Sequence, residues 1–221
     1  MAGAARREHA EEGQAMIEGY IGRPGSGKSY TLSARGFEEA ESGRQVFANF
    51  GLNHPNVEPI TIEDLTDPRM PPGLILIDEA HLWFPARLSM KLPPSLLMRL
   101  SQTRKMGWDL IWCAQHETRV DKVLRDVTNW LWLCNAWGSS NAGGAEHPAF
   151  FTALCFEPEK FRKRKAHAQR VVRRFRMDVA SHYDTKESLQ VASHVLALQD
   201  HYAKGRKGDG GDDGGASEDA A

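Results

Sequence analysis

The sequence predicts an α/β fold with a mostly parallel sheet flanked by helices. Three observations predict it. Strand-sized apolar runs alternate with segments of helical period along most of the chain. One run, "LILID" at 74–78, is apolar up to its closing acid, the pattern of a strand buried on both faces. A glycine-rich loop, "GRPGSGKS" at 22–29, joins the first strand to the first helix.

Residues 1–14 are polar and charged and read as a leader. "AMIEGYIG" is the first strand. From Lys28 the period turns helical, with Tyr30, Ala34, Phe37 and Ala40 on one face and Gly43 as the stop. "QVFANF" is the second strand. A turn-rich connector follows at 51–73, with "TIEDL" as a short helical turn. "LILID" is the third strand. "PPSLLMRLSQTRKMG" is a helix with Leu97 and Leu100 inward, stopped by Gly107.

"WDLIWCAQ" is the fourth strand, "VDKVLRDV" a short helix and "NWLWLCNAW" the fifth strand. Trp130 and Trp132 share one face at period two and are expected in a core or a subunit contact. "GSSNAGGAEHP" is a small-residue loop. "AFFTALCF" and "QRVVRRFRMDV" flank a basic run and read as an antiparallel addition to the sheet. "SLQVASHVLALQDHYAKG" has an amphipathic helical pattern, and the Gly- and acid-rich end is expected to be disordered. The organisation expected is a leader at 1–14, one domain carrying the glycine-rich loop at 15–203 and a tail at 204–221.

The chain has 221 residues, enough for one such domain with tails, and can bury a core without disulfides or metals. Its net charge is -1, so any nucleic-acid contact must come from a local patch. The three cysteines, Cys113, Cys134 and Cys155, sit in apolar runs without a CxxC pair. They read as free buried thiols of a reducing compartment. No apolar run approaches the roughly 18 residues of a membrane helix, and the N-terminus lacks the apolar core of a signal peptide. The expectation is a protein of the host cytoplasm, or one associated with a virion, with no membrane span of its own.

"GRPGSGKS" fits G-x4-G-K-[ST] at every fixed position. Gly22, Arg23, Pro24, Gly25, Ser26, Gly27, Lys28, Ser29 and Tyr30 are therefore the candidate nucleotide-binding residues. The glycines let backbone N–H groups curl around a phosphate. Lys28 would reach the β and γ oxygens, and the Ser29 hydroxyl would join a Mg²⁺ shell. Asp78 and Glu79 close the buried third strand. Asp78 is the candidate second metal ligand, and Glu79 the group that orients an attacking water. A water-orienting acid favours hydrolysis over transfer to a small acceptor. Gln115, at the end of the fourth strand, is the candidate sensor of phosphate or water, and His116 is a surface histidine.

Arg104 ends the helix before the fourth strand and so lies at the N-terminal edge of the sheet. Nucleotides bind at the opposite edge, roughly 20 Å away for seven residues at about 3.3 Å each. Arg104 is then either a finger reaching a neighbour's site in a ring or a plain helix-end cation. Arg119 and Arg125 follow the fourth strand on the nucleotide side, as cis sensors or rival fingers. Residues 160–176 hold nine Lys or Arg with no acid between them. Arg162, Lys163, Arg164, Lys165, Arg170, Arg173 and Arg174 are the candidate contacts to double- or single-stranded DNA, read through the backbone without base recognition. The other reading is a solvated basic hairpin or a dock for an acidic partner, such as the chain's own tail.

Together, "GRPGSGKS", "LILIDEAH", "LSQTRKMG", "WDLIWCAQ" and "VLRDVTNWLWL" resemble the FtsK/HerA superfamily of DNA-pumping ATPases. Within it the sequence is similar to zonula occludens toxin-like (Zot) proteins, which include assembly ATPases of filamentous phages and are related to viral genome-packaging ATPases. "IDEAHLWFPAR" and "SHYDTKE" add to the likeness, which spans roughly 15–186. The resemblance implies a RecA-like core of strand order 5-1-4-3-2, use of ATP and Mg²⁺, and a homo-oligomeric ring, a hexamer. It places the family roles on Lys28, Ser29, Asp78, Glu79 and Gln115, with Arg104 as the finger. Filamentous-phage members carry a membrane helix after this domain, and no such run is seen here. The departure favours a DNA-translocating or DNA-packaging motor. The alternative is an extrusion ATPase acting on virion proteins through a membrane-embedded phage partner; a packaging motor would meet a capsid instead. A small-molecule kinase would need a lid and acceptor pocket, for which there is no clear segment.

Overall fold

The computed structural model describes residues 16–87, 94–142, 145–163 and 167–184. The expected leader, the C-terminal amphipathic segment and the acidic tail all lie outside them.

Strand β1 (Ile17–Ile21) leads into helix α1 (Lys28–Glu41). Strands β2 (Val46–Ala48), β3 (Gly51–Leu52) and β4 (Val57–Pro59) occupy the second predicted strand and the connector. A single 3-10 turn at Asp64–Thr66 stands where "TIEDL" predicts one. Strand β5 (Gly73–Ile77) precedes helices α2 (Ala80–Trp83), α3 (Pro94–Ser101) and α4 (Thr103–Met106). Strand β6 (Trp108–Ala114), helix α5 (Lys122–Asp126) and strand β7 (Trp130–Trp137) complete the parallel part.

The main sheet has eight strands, and five of them run in the order β7-β1-β6-β5-β2, all parallel. This is the order 5-1-4-3-2 of the predicted strands. The full order differs at both edges. The short β4 extends the sheet beyond β2 in parallel. Strands β10 (Phe150–Phe156) and β11 (Gln169–Arg174) extend it beyond β7, both antiparallel, as the apolar and basic segments predict.

Alternation along the strands splits the core in two. Ile75, Ile77, Leu110 and Trp112 join one cluster, with Leu96, Leu100 and Leu124 from α3 and α5. Leu74, Leu76, Ile111 and Cys113 join the other, with Leu32 and Ala40 from α1. A continuous apolar run is needed because β5 has a covered face on each side. Each fully buried Leu or Ile of this kind contributes about 2 kcal/mol.

Three local expectations are corrected. The predicted helix at 93–107 is two helices, interrupted at Gln102, whose φ is −113°. Its inward residues are Leu96 and Leu100, and Leu97 is only half-buried, because an i, i+4 pair defines the buried stripe. The small-residue loop after β7 contains a hairpin of β8 (Ser140–Ala142) and β9 (Ala145–His147). Helix α6 (Pro158–Phe161) follows β10; helix α7 (Met177–Ser181) and strand β12 (Tyr183–Asp184) close the described chain, β12 pairing with β3.

Candidate nucleotide site

The register fixes which residues meet at the C-terminal edge of the sheet. Ile21 of β1 pairs with Ala114 of β6, and Ile77 of β5 pairs with Trp112 of β6. The phosphate loop, Gln115 and Asp78 therefore leave the same edge from adjacent strands. Neighbouring strands lie about 4.8 Å apart, and β6 is the middle one, so Gln115 emerges between the loop and the acids.

The loop turns on glycines with positive φ, Gly25 at 76° and Gly27 at 82°. Gly27 has a second reason to lack a side chain. A Cβ there would sit 2.0 Å from the Phe151 ring of β10. The antiparallel addition thus backs the phosphate loop. Tyr30 extends the contact, stacking on Phe151 at 4.5 Å and on Phe175 at 5.5 Å. Its hydroxyl donates to the Arg174 carbonyl at 3.2 Å and accepts from the Arg176 N–H at 2.8 Å. Tyr30 is occupied in joining α1 to the chain after β11, and burial pushes its phenol pKa up.

Lys28 is buried, and its Nζ donates to the Arg23 carbonyl at 3.1 Å. The ammonium is thereby held inside the curl of its own loop. The Ser26 hydroxyl oxygen is buried with no hydrogen-bond partner. Such a group costs about 1–3 kcal/mol and is a ready partner for a ligand oxygen. Ser29 is half-buried at the start of α1.

Asp78 is buried at the tip of β5. Its Oδ1 accepts from the Glu79 N–H at 2.8 Å and from the Cys113 thiol at 2.7 Å. Asn49, just past β2, bonds both backbone groups of Asp78. Its Oδ1 accepts from the Asp78 N–H at 2.7 Å, and its Nδ2 donates to the Asp78 carbonyl at 3.0 Å.

Glu79 is the one non-glycine residue with positive φ among those described, at 45°. His81 Nδ1 lies 3.1 Å from its Oε2, a contact that is an ion pair when the ring is protonated and is not aligned as a hydrogen bond. His81 holds the Glu79 carboxyl below its ordinary pKa, with smaller help from Lys28 and Arg119, against the opposing effect of burial. Gln115 Oε1 accepts from Arg119 Nη1 at 3.0 Å, which brings one candidate cis sensor to the candidate Gln.

All three cysteines are free and buried, as expected. Burial, reinforced by Asp78, pushes the Cys113 thiol well above its usual pKa, and burial takes Cys134 to about 12. Cys113 is more than filler, since it touches the candidate metal ligand. Nothing in its apolar run signals this, and nothing around Asn49 in "ANFG" marks it either.

The donor set suits Mg²⁺. Asp78 and Ser29 offer hard oxygens, and Mg²⁺ sites typically combine one or two carboxylates with phosphate oxygens and water. Among the described residues no three His, Cys, Asp or Glu cluster as a metal site.

Arg104 is exposed in α4, three residues before Gly107 and the start of β6. The whole length of β6 separates it from Gln115, so it does not join the site of its own chain.

The basic segment divides. Arg164 and Lys165 lie outside the described residues. Arg162 and Lys163 are exposed after α6. On β11, Arg170 and Arg174 are exposed, and Arg174 lies over the Phe150 ring at 5.7 Å. Arg173 is a correction. It faces α1 and makes a two-pronged pair with Glu38, Nη2 to Oε2 being 3.0 Å. Its side chain is only 15% exposed, so it is not a free contact for DNA. The cause is strand parity, which sends 170 and 174 to one face and 173 to the other. Trp132 is buried and stacked on Tyr20, and Trp130 packs partly buried against the same cluster, as expected, whereas Trp137, at the end of the same strand, is 59% exposed.

A family model for zonular occludens toxin (Zot) matches residues 58–134. The matched stretch carries Asp78, Glu79, Arg104 and Gln115. Over that stretch the chain is similar to the Zot family. The N-terminal domain of zonular occludens toxin from Neisseria meningitidis superposes with a TM-score of 0.56 at 22% identity, over 77% of this chain and 99% of that one. The genome packaging NTPase B204 from Sulfolobus turreted icosahedral virus 2, in complex with AMPPCP, matches at 12% identity and a TM-score of 0.48, over 72% of this chain and 97% of that one. The flagellar accessory protein FlaH from Methanocaldococcus jannaschii matches at 10% identity and 0.45, over 73% and 85%. No curated protein sequence matches. The Zot-like fold is thus the mixed α/β, mostly parallel sheet that the sequence predicts. No helix among the described residues is long and apolar enough to cross a membrane.

Proposed function

We propose that this protein is an ATP-hydrolysing motor of the Zot and genome-packaging type that translocates or packages viral DNA. One observation carries the ATPase part. Three adjacent strands in register deliver the phosphate loop, Gln115 and the Asp78–Glu79 pair to one edge of the sheet. Phosphoryl transfer asks for positioning and charge, and these residues supply both.

Lys28 would exchange the Arg23 carbonyl for phosphate oxygens. The backbone N–H groups of 25–29 and the Ser26 hydroxyl would line the β-phosphate. Ser29 and Asp78 would hold Mg²⁺, which when bound neutralises charge on the phosphates. Glu79, whose carboxyl pKa His81 lowers, would orient the attacking water, with Gln115 reading the γ-phosphate. Arg104, exposed and remote from its own site, suits a role in a neighbouring subunit of a ring.

The DNA part rests on the exposed cations Arg170 and Arg174 of the edge strand β11 and Arg162 and Lys163 after α6. A uniform phosphate backbone is what a sequence-blind cation stripe would bind. The test is ATP hydrolysis by the purified protein with and without double-stranded DNA, beside Glu79→Gln. DNA-stimulated hydrolysis that falls about 100-fold or more in the variant is expected. Hydrolysis indifferent to DNA across a range of salt would discard the DNA motor in favour of the extrusion ATPase.

A further inference from the structure

We infer that Asn49 is a positioning residue for the proposed metal and water site, acting through the backbone of Asp78. The inference rests on the ATPase reading and adds a residue to it.

The argument begins at the end of a ladder. Strands β2 and β5 pair in parallel up to Ala48 and Leu76, and the Asn49 N–H continues the ladder to the Leu76 carbonyl at 3.2 Å. Beyond that point the chain after β2 turns away. The next backbone groups on the same side of β5 are the N–H and carbonyl of Asp78, and both bond the Asn49 side chain rather than its backbone. Both belong to a buried residue, where unpaired peptide groups are costly.

The Asn49 side chain takes the place of strand backbone there. A primary amide carries a donor and an acceptor in one plane, as a peptide does. Its oxygen takes the Asp78 N–H at 2.7 Å and its nitrogen meets the Asp78 carbonyl at 3.0 Å. Asn49 is itself buried, so both bonds are shielded from water. No aspartate, serine or threonine supplies both functions at that reach.

What is held matters more than the bonds. The Asp78 carbonyl belongs to the peptide that enters Glu79, and Glu79 takes a left-handed conformation, with φ 45° and ψ 49°. That geometry is unfavourable for a residue with a side chain and persists only where neighbours over-determine it. Asn49 fixes the peptide on one side, and the Glu79 N–H bond to Asp78 Oδ1 fixes it on the other. The carboxylates of Asp78 and Glu79 are thereby aimed by a residue bonded to the Asp78 backbone rather than to either carboxylate.

The experiment measures binding of a fluorescent ATP analogue with chelator and with saturating Mg²⁺, in wild type, Asn49→Ala and Asn49→Ser. Wild type should bind more tightly with the metal. Both variants should keep metal-free affinity within about twofold, while the gain from metal falls about tenfold or more, the usual size for residues behind a metal ligand. Hydrolysis should lose kcat with little change in KM. Asn49→Ser serves where Asn49→Ala does not fold. Equal loss of metal-free and metal-bound affinity would show a merely structural role and overturn the inference, as would an undiminished metal gain. A wild type whose affinity ignores the metal would instead overturn the proposed function, and Asn49's role with it.

Discussion

The phosphate loop and strand β11 both concentrate cationic residues, and the fold treats them in opposite ways. In the loop, Lys28 is buried and held against the Arg23 carbonyl. In β11, neighbouring arginines part company: Arg174 is exposed, and Arg173 is spent on Glu38 of α1. The difference lies in how each backbone presents its side chains. A loop closing on a helix gathers consecutive residues around one point. A strand throws consecutive residues to opposite faces. Charge density in sequence therefore equals charge density in space only in the first case.

The largest effect should come from Lys28→Ala. We expect hydrolysis to fall about 100-fold or more, with weakened nucleotide binding, measured by phosphate release and by titration. A variant that hydrolyses normally would mean that the loop's cation is no more functional than Arg173.

Gly27→Ala should follow, because it tests whether the two regions are mechanically joined. The positive φ alone costs about 1–3 kcal/mol, and the new Cβ would collide with Phe151. Denaturant unfolding should show a lower midpoint at unchanged slope. Wild-type stability would disprove the contact between loop and β10.

Within β11 the comparison can be made directly. Arg173→Ala should cost about 1–2 kcal/mol of stability, since Glu38 is partly exposed and loses a largely buried partner. It should leave the salt dependence of DNA binding nearly intact. Arg170→Ala and Arg174→Ala should change stability by about 0.5 kcal/mol or less and each lower the salt slope by about one. Equal slopes for all three would break the parity argument.

The smallest effect concerns Glu79. Its folded pKa is lowered, chiefly by His81, so its charge contributes stability above the unfolded carboxyl value of about 4.3. That contribution is lost as pH falls through the lower folded value. His81→Ala should let the pKa rise and move the acid limb of hydrolysis to higher pH. A pH profile identical to wild type would remove His81 from the site.

Much of the site was legible because its signals are local. The loop's fixed positions span eight residues, and the Asp78–Glu79 pair closes a run whose burial shows in its composition. Gln115 could be placed because it is a polar residue closing an apolar strand, and β6 does lie between β1 and β5. The helix at 93–107 was legible in period but not in its break at Gln102, where no glycine or proline marks the interruption.

The sequence by itself determined the alternation of strands and helices, the phosphate loop and the two acids at a strand end. Each follows from backbone preferences and spacings within about one element. Only the tertiary structure decided what surrounds them. Asn49 meets Asp78 across 29 residues, Cys113 meets it across 35, and Arg173 meets Glu38 across 135. Those pairings depend on strand order, register and the face each strand turns to α1. A one-residue slip in register would undo them while leaving every local pattern intact.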